Sequence, residues 1–264
     1  MNILLIGCGQ MGSAMLAGWL RGQEVTRVVA VDPGQPDQTD PRVVMRPDID
    51  GIDGPFDVVV LAIKPQVMRS VAATLAPHLS PDVPVLSIAA GITLSTLKHY
   101  FGDRPIIRAM PNTPGAIGQG ITGYTLNEKT NSKQNDIVVH LLSVLGNVVQ
   151  VPDEDMMDAV TAVSGSGPAY VFALTEALEK SAISSGLPDD VAKQLARQTV
   201  IGAAALMAAK ADTSPDTLRK AVTSPGGTTA AALDVLFQNR NLDTLLEKAV
   251  FAAKKRSEDL AQSQ

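Results

Sequence analysis

The sequence predicts an α/β protein: a doubly wound parallel sheet in the first half, followed by an all-helical C-terminal domain. Three observations carry this reading. Short β-branched runs alternate with helical patterns as far as residue 151, and three spaced glycines separate the first run from the first helix. After Pro152 the strand signal stops and long Ala-rich segments follow. Alternation of this kind implies parallel strands joined by right-handed crossovers.

The elements follow in order. Strands are expected at residues 3–6, 28–31, 57–63, 83–88 and 106–109, with helices at 11–21, 66–79 and 95–101. Residues 33–55 are rich in Pro, Asp and Gly and hold at most a short strand near Val43. A strand at 121–125, a helix at 132–145 and a strand at 148–151 extend the same sheet. Helices are then expected at 155–162, 169–185, 191–211, 215–222, 229–238 and 242–261. Gly186-Leu187-Pro188 punctuates two of them, as a C′ Gly followed by an N1 Pro would. A chain of 264 residues suits one large or two modest domains, and the change of pattern sets the expected domains at 1–152 and 153–264.

Composition limits the function classes. Apolar residues make up 45% and charged residues 19%, which favours a packed core over disorder. Aromatics are only 3%, so aliphatic side chains must fill that core. The net charge of −5 argues against a nucleic-acid footprint, and the run Lys254-Lys255-Arg256 reads as the cationic end of a last helix. Cys8 is the sole cysteine, so no intrachain disulfide forms and a reducing compartment fits. No apolar stretch reaches the roughly 18 residues of a membrane span, and residues 2–6 are too few for a signal sequence. A cytoplasmic protein that binds neither membrane nor metal is expected. The segment 200–209 is nearly uncharged on every face, which calls for burial, and an intertwined helical dimer would provide it.

Six motifs carry the chemistry. Gly7-Cys8-Gly9-Gln10-Met11-Gly12 lies between a strand and a helix, the context of a dinucleotide-binding Rossmann loop. Its glycines allow a tight turn, close approach of a pyrophosphate, and close helix–strand packing, while the helix N-terminus offers N–H groups to phosphate. Asp32 ends the second strand, either to accept from an adenosine ribose or to shape the Pro33-Gly34 turn. In Ala62-Ile63-Lys64-Pro65-Gln66, Lys64 either reaches the cofactor or marks a solvated strand end. In Arg108-Ala109-Met110-Pro111-Asn112-Thr113-Pro114, Asn112 either bonds a ligand or caps a turn. Ser164-Gly165-Ser166-Gly167-Pro168-Ala169-Tyr170 opens a helix, with Ser166 as its expected N-cap and Pro168 in its first turn. Thr223-Ser224-Pro225-Gly226-Gly227-Thr228-Thr229 is either an anion-binding helix start or an ordinary capped one.

Taken together, these motifs resemble those of the pyrroline-5-carboxylate reductases over nearly the whole chain. The most specific match is LRKAVTSPGGTTAAALDVLFQ, residues 218–238. The resemblance implies a Rossmann domain plus a helical dimerisation domain, with dimers that assemble further into a decamer of five dimers. It implies hydride transfer from NADPH or NADH to the imine carbon of 1-pyrroline-5-carboxylate, giving L-proline in the last step of proline biosynthesis. The expected cofactor-binding residues are Gly7, Gly9, Gln10, Met11, Gly12, Asp32, Ala62, Lys64, Pro65 and Asn112. The expected substrate-binding residues are Ser224, Gly226, Gly227, Thr228 and Thr229, with free N–H groups at 227–229 and Thr229 near the reacting nitrogen. An Asp32 that faces the ribose would repel a 2′-phosphate. Arg42 and Arg46 are remote in sequence, so the residues themselves tilt toward NADH. Two rivals are weaker. The β-hydroxyacid dehydrogenases need a Lys where this chain has Val171, and a non-catalytic dinucleotide sensor needs no second loop for a carboxylate.

Overall fold

The computed structural model describes residues 1–35 and 37–262. Eight strands form one sheet in the order β3-β2-β1-β4-β5-β6-β7-β8. They are β1 (Asn2–Ile6), β2 (Arg27–Val31), β3 (Val43–Arg46), β4 (Val58–Leu61), β5 (Val85–Ser87), β6 (Ile106–Met110), β7 (Gly120–Leu126) and β8 (Gly146–Gln150). The order reverses at β1, which pairs in parallel with both β2 and β4. Ligands of such sheets bind beyond the carboxyl ends of strands at that switch point.

The strands between 2 and 110 are all parallel, as expected, and β7 is not. It runs antiparallel to β6 and parallel to β8. The reason is the connection. Only residues 111–119, with a short turn at Thr113–Ile117, separate β6 from β7, and a parallel return needs a crossover of a dozen or more residues.

Helices cover both faces of the central strands, so β1, β2, β4, β5 and β6 are almost wholly buried. On one face α1 (Gln10–Leu20) contributes Met15, Leu16 and Trp19, and α4 (Ser132–Ser143) contributes Val138, Leu141 and Leu142. The Trp19 indole N–H donates to the Leu141 carbonyl at 2.9 Å, which satisfies the one polar atom of that ring. On the other face lie Met68, Ala72 and Leu75 of α2 (Met68–Leu75) and Leu97 and Phe101 of α3 (Leu94–Phe101).

The compact unit that holds the sheet comprises residues 1–166 and 252–264, and residues 167–251 form a second unit. Within the first, α5 (Met157–Val160) winds into a wider π-helical turn over Thr161–Gly165. In the second, α6 (Gly167–Ser184) packs against α7 (Asp189–Ala209). Gly186, with φ +98°, turns the chain between them, and Pro188 is the N-cap of α7 rather than its first residue. Then come α8 (Pro215–Ala221), α9 (Thr228–Phe237) and α10 (Asn241–Gln262), whose residues from 252 on belong to the first unit. These helices keep large apolar side chains outside: Phe172 is 67% exposed, Ile201 52% and Phe251 70%. One chain does not bury them, and apolar patches of this extent mark an interaction surface.

A buried ion cluster ties β6 to the turn after β8. Arg108, 4% exposed, donates to Glu154 at 2.8 Å and lies 3.9 Å from Asp158. Glu154 also accepts from the Leu94 N–H at the start of α3, and Asp158 from the Ser257 hydroxyl. Arg108→Ala would leave two largely buried carboxylates without their cation. Urea unfolding should show a loss of about 3 kcal/mol, and a variant as stable as the parent would show that the cluster contributes nothing.

Candidate active site

The glycine loop is built by contact, atom against atom. Gly7 has φ +92°, and a Cβ there would lie 2.4 Å from the Ala62 carbonyl oxygen. A Cβ on Gly12 would lie 2.2 Å from the Gly7 carbonyl oxygen and 3.3 Å from the Ala62 Cβ. Gly7 and Gly12 are therefore required by the protein's own packing, and Ala62 is the small residue that packs beneath both. Gly9 differs. A Cβ there would meet nothing within 4 Å. Protein packing does not demand a glycine at 9, whereas close approach of a pyrophosphate does. Gly9 is the N-cap of α1 and gives it no side-chain cap, so the first-turn N–H groups, including those of Gln10 and Met11, have no acceptor within the helix. These residues suit a dinucleotide.

Asp32 shapes the turn, one of its two readings. One oxygen accepts from the Cys8 N–H at 2.7 Å and the other from the Gly34 N–H at 2.8 Å. Its carboxylate braces the glycine loop from the end of β2. The Cys8 thiol is buried, which pushes its pKa up against the opposing hydrogen bond to Ser13, so it packs the loop as a neutral group.

A crevice of about 450 Å³ opens beside the loop, lined by Ile6, Gly7, Val31, Asp32, Ile49 and Ile63 among others. Lys64 precedes a short turn that begins at Pro65, and its side chain is exposed with no ion pair among the described residues. Asn112 is used internally. Its amide donates to the Ser164 carbonyl in the π-helical turn at 3.1 Å and its oxygen accepts from the Ile121 N–H at 3.0 Å. It holds two backbone segments together beyond β6.

The second motif lies in the other unit. Gly226 takes φ +69°, and Gly227 is the N-cap of α9, again without a side-chain cap. The expectation of a free Gly227 N–H is corrected: it donates to the Ser224 carbonyl at 3.0 Å, closing the turn. The donors left open by helix geometry belong to Thr228, Thr229 and Ala230. Arg219, the nearest arginine in sequence, is engaged by Asp216 at 2.6 Å and by the Phe237 ring at 4.7 Å. Ser224 and Thr228 are exposed and Thr229 is half-buried. Among the described residues no group of three His, Cys, Asp or Glu side chains gathers as metal ligands would.

The Arg108 cluster is not visible in the sequence, because Arg108 lies 46 residues from Glu154 along the chain. Sequence reasoning also missed the π-helical turn, whose only sequence sign is the glycine at 165.

The chain matches two family models. Residues 154–260 match pyrroline-5-carboxylate reductase dimerisation, and residues 2–91 match the NADP oxidoreductase, coenzyme F420-dependent family. It is 40% identical to a pyrroline-5-carboxylate reductase of Pseudomonas aeruginosa over 99% of this chain and 97% of that one. It is 39% identical to that of a Synechocystis strain over 97% of both. Among solved structures, the enzyme of Coxiella burnetii superposes with a TM-score of 0.87 at 35% identity, covering 98% of both chains. A Plasmodium falciparum pyrroline carboxylate reductase with NADP bound superposes at 0.82 and 29% identity, covering 99% of both.

The three glycines should separate by experiment. Gly9→Val should leave unfolding free energy within about 0.5 kcal/mol of the parent, since nothing stands in its way. It should still weaken dinucleotide binding by roughly tenfold or more. Gly12→Val should lower stability and binding together. Equal destabilisation by both variants would mean that Gly9, too, serves packing alone.

Proposed function

The chain belongs to the pyrroline-5-carboxylate reductase family, and on that premise we propose how its residues divide the work. It is an oxidoreductase that uses NAD(P)H to reduce 1-pyrroline-5-carboxylate to L-proline. The observation that carries the residue-level reading is shared by α1 and α9. Each begins at a glycine N-cap that supplies no side-chain acceptor. In each case N–H groups and the positive end of the helix dipole are left for an anion.

In this reading Gly7, Gly9, Gln10, Met11 and Gly12 receive the pyrophosphate, with Ala62 below the loop and Asp32 bracing it. Lys64 and Pro65 border the loop at the end of β4, and Asn112 acts by holding the segment beyond β6. The nicotinamide supplies the hydride. The α9 start holds the substrate carboxylate through the N–H groups of Thr228, Thr229 and Ala230, on a turn shaped by Ser224, Gly226 and Gly227. These donors are in place before substrate arrives, so little ordering entropy is lost. The Thr229 hydroxyl stands at the substrate nitrogen. The imine nitrogen is basic enough to be protonated in water, so the protein's task is to orient the ring and exclude solvent.

The chain forms homo-oligomers. The proposed unit is a homodimer joined through the helices of 153–264, assembling to a decamer of five dimers, with residues 1–152 as the dinucleotide-binding domain. No described helix is long and apolar enough to cross a membrane. A cytoplasmic location is proposed, which fits the single thiol.

Purified protein should oxidise NADPH or NADH when given 1-pyrroline-5-carboxylate, forming one proline per cofactor; no turnover with either would remove the functional reading. Thr229→Ala should raise KM for the substrate and lower kcat, by on the order of 1–3 kcal/mol of transition-state stabilisation, with cofactor KM unmoved. Gly227→Val should be worse, since its Cβ would lie 3.1 Å from the Ser224 carbonyl oxygen. Unchanged substrate kinetics in Thr229→Ala, with Gly227→Val folded and active, would place the carboxylate elsewhere. Sedimentation should give at least twice the 27.6 kDa chain mass, and a stable monomer would contradict the helical interface.

A further inference from the structure

Cofactor choice turns on what stands near the adenosine end of the crevice. Its lining includes Asp32, Asp48 and Asp50 and no Arg or Lys. Three carboxylates would repel a 2′-phosphate, so a cation at the rim decides whether one is accepted.

Two arginines are candidates by sequence, and the structure separates them. Arg42 is spent. Its guanidinium donates to the carbonyls of Leu20 and Gly22 and to both oxygens of Asp40, whose carboxyl it holds down at about 2. Arg46 is far from Asp32 in sequence but adjacent in the sheet. The last residue of β3, it pairs in register with Val31, and its carbonyl accepts from the Asp32 N–H at 3.0 Å. Neighbours in register on parallel strands point to the same face. Val31 lies on the face that carries Ile6, Leu61 and Ile49, and it lines the crevice. The other residues of β3 agree: Val43 and Met45, paired with Val28 and Ala30, pack on the opposite core. Arg46 thus projects to the crevice side, next to Pro47 and Asp48 of the lining. Its side chain is exposed and has no hydrogen bond or ion pair among the described residues.

We propose that Arg46 receives the 2′-phosphate of the adenosine ribose and so admits NADP(H) to this crevice. An arginine fork matches phosphate geometry with two N–H donors, and its charge offsets that of the three carboxylates. Asp32 does not claim the arginine for itself, since its two oxygens are bonded to the Cys8 and Gly34 N–H groups. The inference rests on the crevice beside the glycine loop being the adenosine site.

Calorimetric titration of the whole enzyme with NADP⁺, NAD⁺, 2′,5′-ADP and 5′-AMP tests it without relying on turnover. The parent should bind 2′,5′-ADP more tightly than 5′-AMP. Arg46→Ala should weaken NADP⁺ and 2′,5′-ADP on the order of ten- to a hundredfold, the loss expected when a hydrogen bond to a charged group goes. NAD⁺ and 5′-AMP should change by less than about twofold, and Arg46→Lys should fall between. An unchanged ratio of NADP⁺ to NAD⁺ affinity in Arg46→Ala, or an equal loss for all four ligands, would overturn the proposal. Gly9→Val separates the two levels. If it weakens all four ligands while Arg46→Ala changes nothing, the crevice reading stands and Arg46 falls; if it weakens none, both fall.

Discussion

The nucleotide side of this protein depends on one close approach. Gly12, the third residue of α1, lies so near the Gly7 carbonyl that a Cβ would lie 2.2 Å from its oxygen. That contact lets the helix start directly against the end of β1, the strand at which the sheet order reverses. Two hydrogen bonds set the loop's position: Gly7 N–H to the Val31 carbonyl and Cys8 N–H to the Asp32 carboxylate. The helix N-terminus therefore opens at the switch point, facing whatever binds there. Without it, strand order, crevice and dipole would not coincide.

Much of this was legible because it is local. The strand–glycine–helix grammar of residues 2–20 involves neighbours in sequence, and so does the glycine start of α9. What was not legible depends on pairing across distance. Asp32 reads equally as a ribose acceptor or a turn residue until Cys8 and Gly34 are seen to donate to it. Arg46 reads as remote until β3 lies beside β2 and brings it level with Val31. Asn112 reads equally as a ligand contact or a turn residue until its amide is seen to donate to the Ser164 carbonyl and to accept from the Ile121 N–H. The direction of β7 depends on how short the link from β6 is, and the expectation of one continued parallel sheet passed over that.

The helical half shows a different constraint. Its apolar helices call for cover from a partner chain, and within the chain Phe172, Ile201 and Phe251 stay open to solvent. Sequence periodicity reports that a face must be covered but not which chain covers it. The family match over residues 154–260 supplies that answer as dimerisation. Folding and association are then linked, since burying such surface is the main favourable term available to helices with few aromatics.

In the proposed mechanism two glycine-capped helix starts divide the ligands, α1 taking the dinucleotide and α9 the carboxylate of substrate or product. Amide hydrogen exchange reads both at once. Addition of NADP⁺ should slow exchange across residues 8–13, and addition of proline to that complex should slow exchange across residues 224–231. Proline that protects only the α1 start, or neither segment while still binding, would contradict the account.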